Sequence, residues 1–333
     1  MSKPRVAVIG TGGTISTISS QGSLDFVDYM VSGTTLHVDE LIRTIPEAAE
    51  FAELIPLRFR AVSSTALGFD DWRELALTVD RLALDRPDVA GVVILHGTAT
   101  MEETAYMLQL TLKTPLPVVF VGSQRPLNAL SSDAAGNFVN AVRVACSPQA
   151  RDMGVLVCLN DEIQAAREVT KFSTSRLHTF RTPDFGILGQ VDNDGVNLYR
   201  RPLRKGAPDT EFDLRDLTAL PRVDIVYSYV GEDGAVVDAL VALGAKGIVV
   251  AAFPGGRLSP AQLQACTRAL DENVAIVLST RAGSGRAMLD RRLQEMGMIS
   301  ADNLNPQKAR ILLALALTVS NERSELERIF ATY

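Results

Sequence analysis

GVVILHGTATMEETA, residues 91–105, is the stretch from which the fold can be read. Residues 92–95 are an apolar, β-branched run of the kind buried on both faces of a sheet. The run stops at His96-Gly97, where a pleated chain can turn. Two hydroxyls follow, Thr98 and Thr100, and then a helix start, with Thr100 as N-cap and Glu103 three residues on as its capping-box partner. Open α/β sheets place their ligands where a strand ends in small polar residues ahead of a helix N-terminus. This segment is therefore the first candidate site.

The same grammar occurs near the N-terminus. Residues 6–9 are an apolar strand, and GTGGTIS at 10–16 is a glycine-rich turn carrying hydroxyls. No G-x-G-x-x-G follows and the P-loop Lys-Ser/Thr is missing, which argues against a nucleotide cradle. What remains is a turn whose backbone N–H groups can surround a small anion or an oxyanion.

Strands and helices alternate through the rest of the first part. Residues 16–33 are polar and glycine-punctuated, a candidate flexible lid. Helices are expected at 37–45, 69–84, 102–113 and 133–146, and strands at 57–62, 117–121 and 154–159, after which the polar run 160–175 leads away from the sheet. Repeated strand–loop–helix units imply a mostly parallel, doubly wound sheet. The segment YRRPLRKGAPDTEFDLRDLTALP is charged and proline-bearing and has no sustained apolar period, so 198–221 reads as a linker. Beyond it the alternation restarts, with strands at 223–230, 247–252 and 274–278 and helices at 235–243, 261–270 and 305–318. The expectation is an α/β protein of two domains, 1–197 and 222–333.

A chain of 333 residues, 47% hydrophobic and 22% charged, can bury more core than one domain usually holds. Its net charge of −6 gives no general basic footprint for nucleic acid. Cys146, Cys158 and Cys266 are odd in number and widely spaced, as free thiols in a reducing compartment would be. No apolar run reaches the ~18 residues of a membrane span, and the first strand begins too early for a signal peptide to precede it. The expectation is a cytoplasmic protein with no membrane partner.

The chemistry must then come from hydroxyls and an amine. His37, His96 and His178 have no metal-ligand partner at helical or strand spacing; His96, at a strand end, reads as structural. No G-x-S-x-G elbow is present. Lys171 follows a strand by about a dozen residues, and a lysine at a sheet edge can be held neutral by burial and take a proton from a threonine. Spacing alone does not separate that role from a solvated lysine.

Four motifs carry a resemblance: T-G-G-T-I at 11–15, H-G-T-x-T-M-E-E-T-A at 96–105, R-x-V-T-K ending at Lys171, and L-N-P-Q-K-A-R at 304–310. In that order, and spread over nearly the whole chain, they resemble the bacterial L-asparaginase/glutaminase family. The resemblance implies an amidohydrolase of two α/β domains with mostly parallel sheets, a homotetramer built from intimate dimers, and no cofactor. It matches Thr14 to the nucleophile, Thr98 and Lys171 to the second threonine and its lysine base, and Tyr29, on the lid, to the tyrosine that helps activate the nucleophile. Ser64 matches the serine that binds the substrate α-carboxylate, and Gly97 belongs to the substrate-binding turn. An unperturbed threonine hydroxyl is a poor nucleophile, so the family's chemistry needs a positioned base and main-chain donors for the oxyanion; water then hydrolyses the acyl-enzyme.

The departures lie on the substrate's amine side. Where the family has aspartate in H-G-T-D-T, this chain has Ala99, so the carboxylate that holds the α-ammonium is missing. The glutamine expected after Ser64 is Thr65, and the G-N-G-N turn of the second domain is Pro254-Gly255-Gly256-Arg257. Asp290 falls near the place of the family's acidic residue from the neighbouring subunit. Losing the ion pair costs an ammonium on the order of 1 to 3 kcal/mol, and Arg257 would repel it besides. The simplest reading is a small carboxamide substrate without a free α-amine. The alternative is a catalytically silent relative that binds an amide or carboxylate.

Overall fold

The computed structural model describes residues 3–333, which divide into two compact units, one ending at Arg215 and the other beginning at Asp216. In chain order the first unit contains β1 (Arg5–Gly10), β2 (Thr17–Ile18), α1 (Tyr29–Ser32), β3 (Thr34–Thr35), α2 (Val38–Thr44), β4 (Glu53–Arg58), α3 (Phe69–Asp85), β5 (Val89–Leu95), α4 (Met101–Thr111), β6 (Val118–Val121), α5 (Ala134–Cys146), β7 (Val155–Leu159), β8 (Glu162–Ala165), β9 (Thr170–Lys171), β10 (Phe180–Arg181), β11 (Gly189–Asp192) and β12 (Gly195–Leu198).

Its main sheet has the order β12-β11-β8-β7-β6-β5-β1-β4. The five strands from β7 to β4 run parallel, while β8, β11 and β12 are antiparallel to their neighbours. Alternate residues of the parallel strands face opposite ways. Val6, Val8, Val93, Leu95, Val119 and Val121 pack with Leu41 of α2 and Phe138 of α5, while Ala7, Ile9, Val92, Ile94 and Phe120 are equally buried toward the other face. Two buried faces are why these strands read as unbroken apolar runs.

Two expectations for this unit need correction. The strand sought at 57–62 is β4, centred four residues earlier. It is the edge strand, so its apolar face is only half covered and its pattern is weak; Pro56 fits there because an edge residue can lack a donor. The run after β7 does not leave the sheet. Asn160 and Asp161 both take left-handed backbone angles, φ 52° and 64°, making a two-residue hairpin that returns the chain as β8.

The boundary between the units falls inside the segment expected as linker. Residues before it strap the first unit: Ala207 N–H donates to Gln109 O, Lys113 Nζ to Thr210 O and Arg73 to the Leu214 and Arg215 carbonyls, and Phe212 and Leu214 are buried.

The second unit comprises β13 (Val223–Tyr227), α6 (Ala235–Ala242), β14 (Gly247–Ala252), α7 (Pro260–Asp271), β15 (Ala275–Thr280), α8 (Arg291–Glu295), β16 (Ile299–Ser300), α9 (Pro306–Val319) and α10 (Arg323–Thr332). Its four strands are parallel, in the order β13-β14-β15-β16. Asn305 caps α9 by accepting from Lys308 N–H, with Pro306 at the first helical position. Among the described residues no helix is long and apolar enough to cross a membrane.

Candidate active site

β1 and β5 are neighbours in the sheet and run parallel, so the turns that follow them emerge side by side. The contact between the turns is close. A Cβ on Gly13, where φ is +86°, would lie 2.4 Å from Gly97 Cα, so only glycine lets the two backbones meet. A Cβ on Gly97 would in turn lie 2.8 Å from Ser64 Oγ, which brings the buried Ser64 to the same place. Thr11 reinforces the junction: its N–H and its hydroxyl both donate to Leu95 O, at 3.0 and 2.9 Å.

Two hydroxyl pairs sit on this platform. Thr14 Oγ1 is 3.0 Å from the hydroxyl of Tyr29, a buried side chain on the one-turn helix α1. Lys171 Nζ donates to Thr98 Oγ1 at 2.8 Å. Burial pushes the Lys171 ammonium below the ordinary lysine range, and the charge of Glu102 opposes that shift. Thr14, Tyr29, Ser64, Gly97, Thr98 and Lys171 thus form one cluster at the carboxyl ends of the parallel strands. The segment carrying Tyr29 is tied down at its base: Ser19 exchanges two bonds with Asn128, and the Asp25 carboxylate accepts from Ser19 Oγ and from the N–H groups of Val27 and Asp28.

The altered positions are placed differently. Ala99 directly follows Thr98 and is exposed, and Thr65 is exposed with its hydroxyl bonded to Ser63 Oγ at 2.9 Å. Arg257 and Asp290 belong to the second unit. Arg257 closes a turn after β14 in which Phe253 N–H donates to Arg257 O, and Gly256 in that turn packs against Met288 and Leu289, just before Asp290. Asp290 caps α8 by accepting from Leu293 N–H at 2.9 Å.

Thr100 is the N-cap of α4, but it does not form the expected capping box. Its hydroxyl donates instead to Ser64 O at 3.0 Å, which joins the Ser64 turn to the start of the helix. His96 is fully buried, with Nδ1 against Gly97 O at 2.8 Å and its pKa pushed down to about 4 by burial, so it stays neutral near neutral pH and holds the turn. Cys158 and Cys266 are buried thiols pushed up to about 12 by desolvation, in keeping with packing residues.

Two residues escaped the sequence reading. Glu102 is buried on α4 and accepts from the backbone N–H of Lys171. Gln124 follows β6, two residues past Gly122, where a Cβ would lie 2.9 Å from Thr98 Cγ2; its side-chain nitrogen is buried with no partner among the described residues. Neither carries a local signal, because each depends on what the fold brings opposite it.

With this geometry in view, comparison with known proteins is decisive. Residues 5–204 match the family model described as "Asparaginase, N-terminal", and residues 222–330 match "Glutaminase/Asparaginase C-terminal domain". This chain belongs to the asparaginase/glutaminase family. The family is one of amidohydrolases acting on linear amides, and the chain is an enzyme of that kind. L-asparaginase 2 of Bacillus subtilis is 38% identical over 99% of this chain and 87% of that protein. A protein of Haemophilus influenzae named "Probable L-asparaginase periplasmic" is 36% identical over 99% of this chain and 93% of its own length. A solved structure from Campylobacter jejuni, described as a probable cytoplasmic L-asparaginase, superposes with a TM-score of 0.94 at 36% identity, covering 99% of this chain and all of that one. The two-domain α/β architecture is therefore the family's.

Proposed function

We propose that the chain hydrolyses a small ω-carboxamide that carries a carboxylate but no free α-amine, through an acyl-enzyme on Thr14. The observation that supports this reading is the coexistence of two intact hydroxyl–base pairs with an apolar residue at position 99. Thr14 Oγ1 attacks the amide carbon while its proton passes to the Tyr29 oxygen, 3.0 Å away, as the phenol hands its own proton on toward the amide nitrogen. The carbonyl electrons move onto oxygen, where main-chain donors of the two glycine turns steady the oxyanion. The C–N bond breaks as the nitrogen takes the proton relayed from Thr14 through Tyr29, and ammonia leaves. Water then adds to the Thr14 ester, with Thr98 and Lys171 relaying the proton, and the free acid is released. Ser64 binds the substrate carboxylate. Thr65, Arg257 and Asp290 complete the far side, the latter two from a neighbouring subunit of a homotetramer made of intimate dimers; light scattering tests that assembly. No cofactor is needed for these steps.

At Ala99 a substrate ammonium finds no anionic partner, and at Arg257 it meets a like charge. Succinamic acid, which is asparagine without the amine, keeps the groups that Ser64 and Thr14 recognise. It should be hydrolysed at least as well as L-asparagine in kcat/KM, read by ammonia release. The triple change Ala99→Asp, Thr65→Gln, Arg257→Asn should move preference toward L-asparagine by a coupled amount, since the three positions share one subsite. A wild-type preference for L-asparagine of ~100-fold, about 2.7 kcal/mol, would refute the amine-free reading. No ammonia from any ω-amide would leave a binding protein instead. We also propose the cytoplasm as its compartment, on its three free thiols and its likeness to the Campylobacter jejuni protein; fractionation of expressing cells tests it.

A further inference from the structure

Lys171 lies on a strand that the main sheet does not hold. β9 has two residues and, among the described residues, pairs only with β10, through Thr170–Arg181 and Lys171–Phe180. Strand pairing this short does not fix a long side chain. The amine nevertheless has to meet Thr98 Oγ1 at 2.8 Å.

The second anchor is on α4. Glu102, four residues after Thr98, is buried, and its Oε1 accepts from Lys171 N–H at 3.3 Å. One segment therefore grips one residue at both ends: Thr98 takes the amine and Glu102 the backbone. We propose that Glu102 is a positioning residue that fixes Lys171 against Thr98 and supplies the negative charge that Ala99 does not. The inference rests on the reading of Lys171 as a base.

Two other charged groups near this strand have partners of their own. Arg181 of β10 stacks its guanidinium over Phe172 at 4.9 Å, and Glu168 pairs with Arg200 at 2.6 Å. Glu162 of β8 feels Arg181 and His178, and its own pKa is raised by burial. Glu102 is the charge that acts on Lys171, holding its proton more firmly than burial alone would allow. Without any such charge the amine would give up its proton too readily to return it when the ester is hydrolysed.

The two functions separate by substitution. Glu102→Gln keeps an oxygen acceptor for Lys171 N–H and removes the charge, so the acidic limb of kcat/KM on succinamic acid should move to lower pH by roughly 1 unit. Glu102→Ala removes both; kcat should fall by about 10²-fold with KM little changed. If the Ala variant does not fold, the Gln variant still carries the test. An unmoved limb in Glu102→Gln, with Lys171→Ala inactive, would overturn the role of Glu102 and leave the base in place. Turnover retained by Lys171→Ala would overturn the base itself, and this inference with it.

Discussion

Placing a carboxylate at position 99 tests the electrostatics of the site from both directions at once. Ala99 is exposed and adjoins Thr98, whose hydroxyl is 2.8 Å from Lys171 Nζ. If an aspartate there placed its charge about 5 Å from the amine, the interaction would be worth about 3 kcal/mol at an effective dielectric of about 20. Position 99 is open to solvent and salt, so roughly half of that is screened. What remains is about 1 pKa unit.

The sign follows from the protonation state that works. In the proposed mechanism Lys171 serves as a base, which requires it neutral, and its pKa is already lowered by burial. An added carboxylate favours the charged form, raises the pKa and moves the acidic limb to higher pH by about 1 unit. On that limb, kcat/KM for succinamic acid should fall about tenfold. For L-asparagine the ammonium gains a partner on the order of 1 to 3 kcal/mol, so its kcat/KM should rise. Steady-state ammonia release with both substrates across the stable pH range separates the two effects. An unmoved limb on succinamic acid in Ala99→Asp would remove Lys171 from the role of base.

Two further outcomes bear on the platform. Thr14→Ala and Thr98→Val should each abolish detectable ammonia release while shifting the melting temperature little, since both hydroxyls sit in turns; near wild-type turnover in both would refute the mechanism. Gly13→Ala should cost about 2 to 4 kcal/mol in denaturant melts, from left-handed strain and a forced contact with Gly97, and should lower kcat/KM as the turns part. An unchanged melt would show that the two backbones are not in contact as described.

How legible each part was depended on how locally its stability is decided. β5, β6 and β7 are buried on both faces, so their apolar runs announce them. β4 has one covered face and a proline, and its position follows from pairing with β1, which no local window contains. The β7–β8 hairpin had a usable signal in Asn160-Asp161, two residues that tolerate positive φ, between two runs of strand character. β9 had none, since two residues make no pattern. At the site, Thr14 and Thr98 were visible because a glycine turn after a buried strand is a local motif. Lys171 was a candidate from its place after a strand, but only the resemblance separated it from a solvated lysine, and Glu102 was visible through neither, because its partner lies 69 positions away.

The losses and retentions around Thr98 bear on whether the site is retuned or decayed. A site drifting out of use has no reason to keep a half-buried lysine at 2.8 Å from a hydroxyl, because withdrawing an amine from water costs stability whenever it must shed its charge or find a partner. Replacing an aspartate by Ala99 would also do two things with one truncation. It removes the ion pair for a substrate amine, and it lets the lysine be neutral at lower pH. The first change favours an amide without the amine through binding; the second acts on the base whichever amide is bound. In the proposed assembly, Arg257 of a neighbouring subunit would push the same way as the first. A decayed site has no need to keep two hydroxyl contacts of catalytic type beside an altered binding side, and that retention is the physical reason for preferring an amidohydrolase of altered substrate over a silent relative.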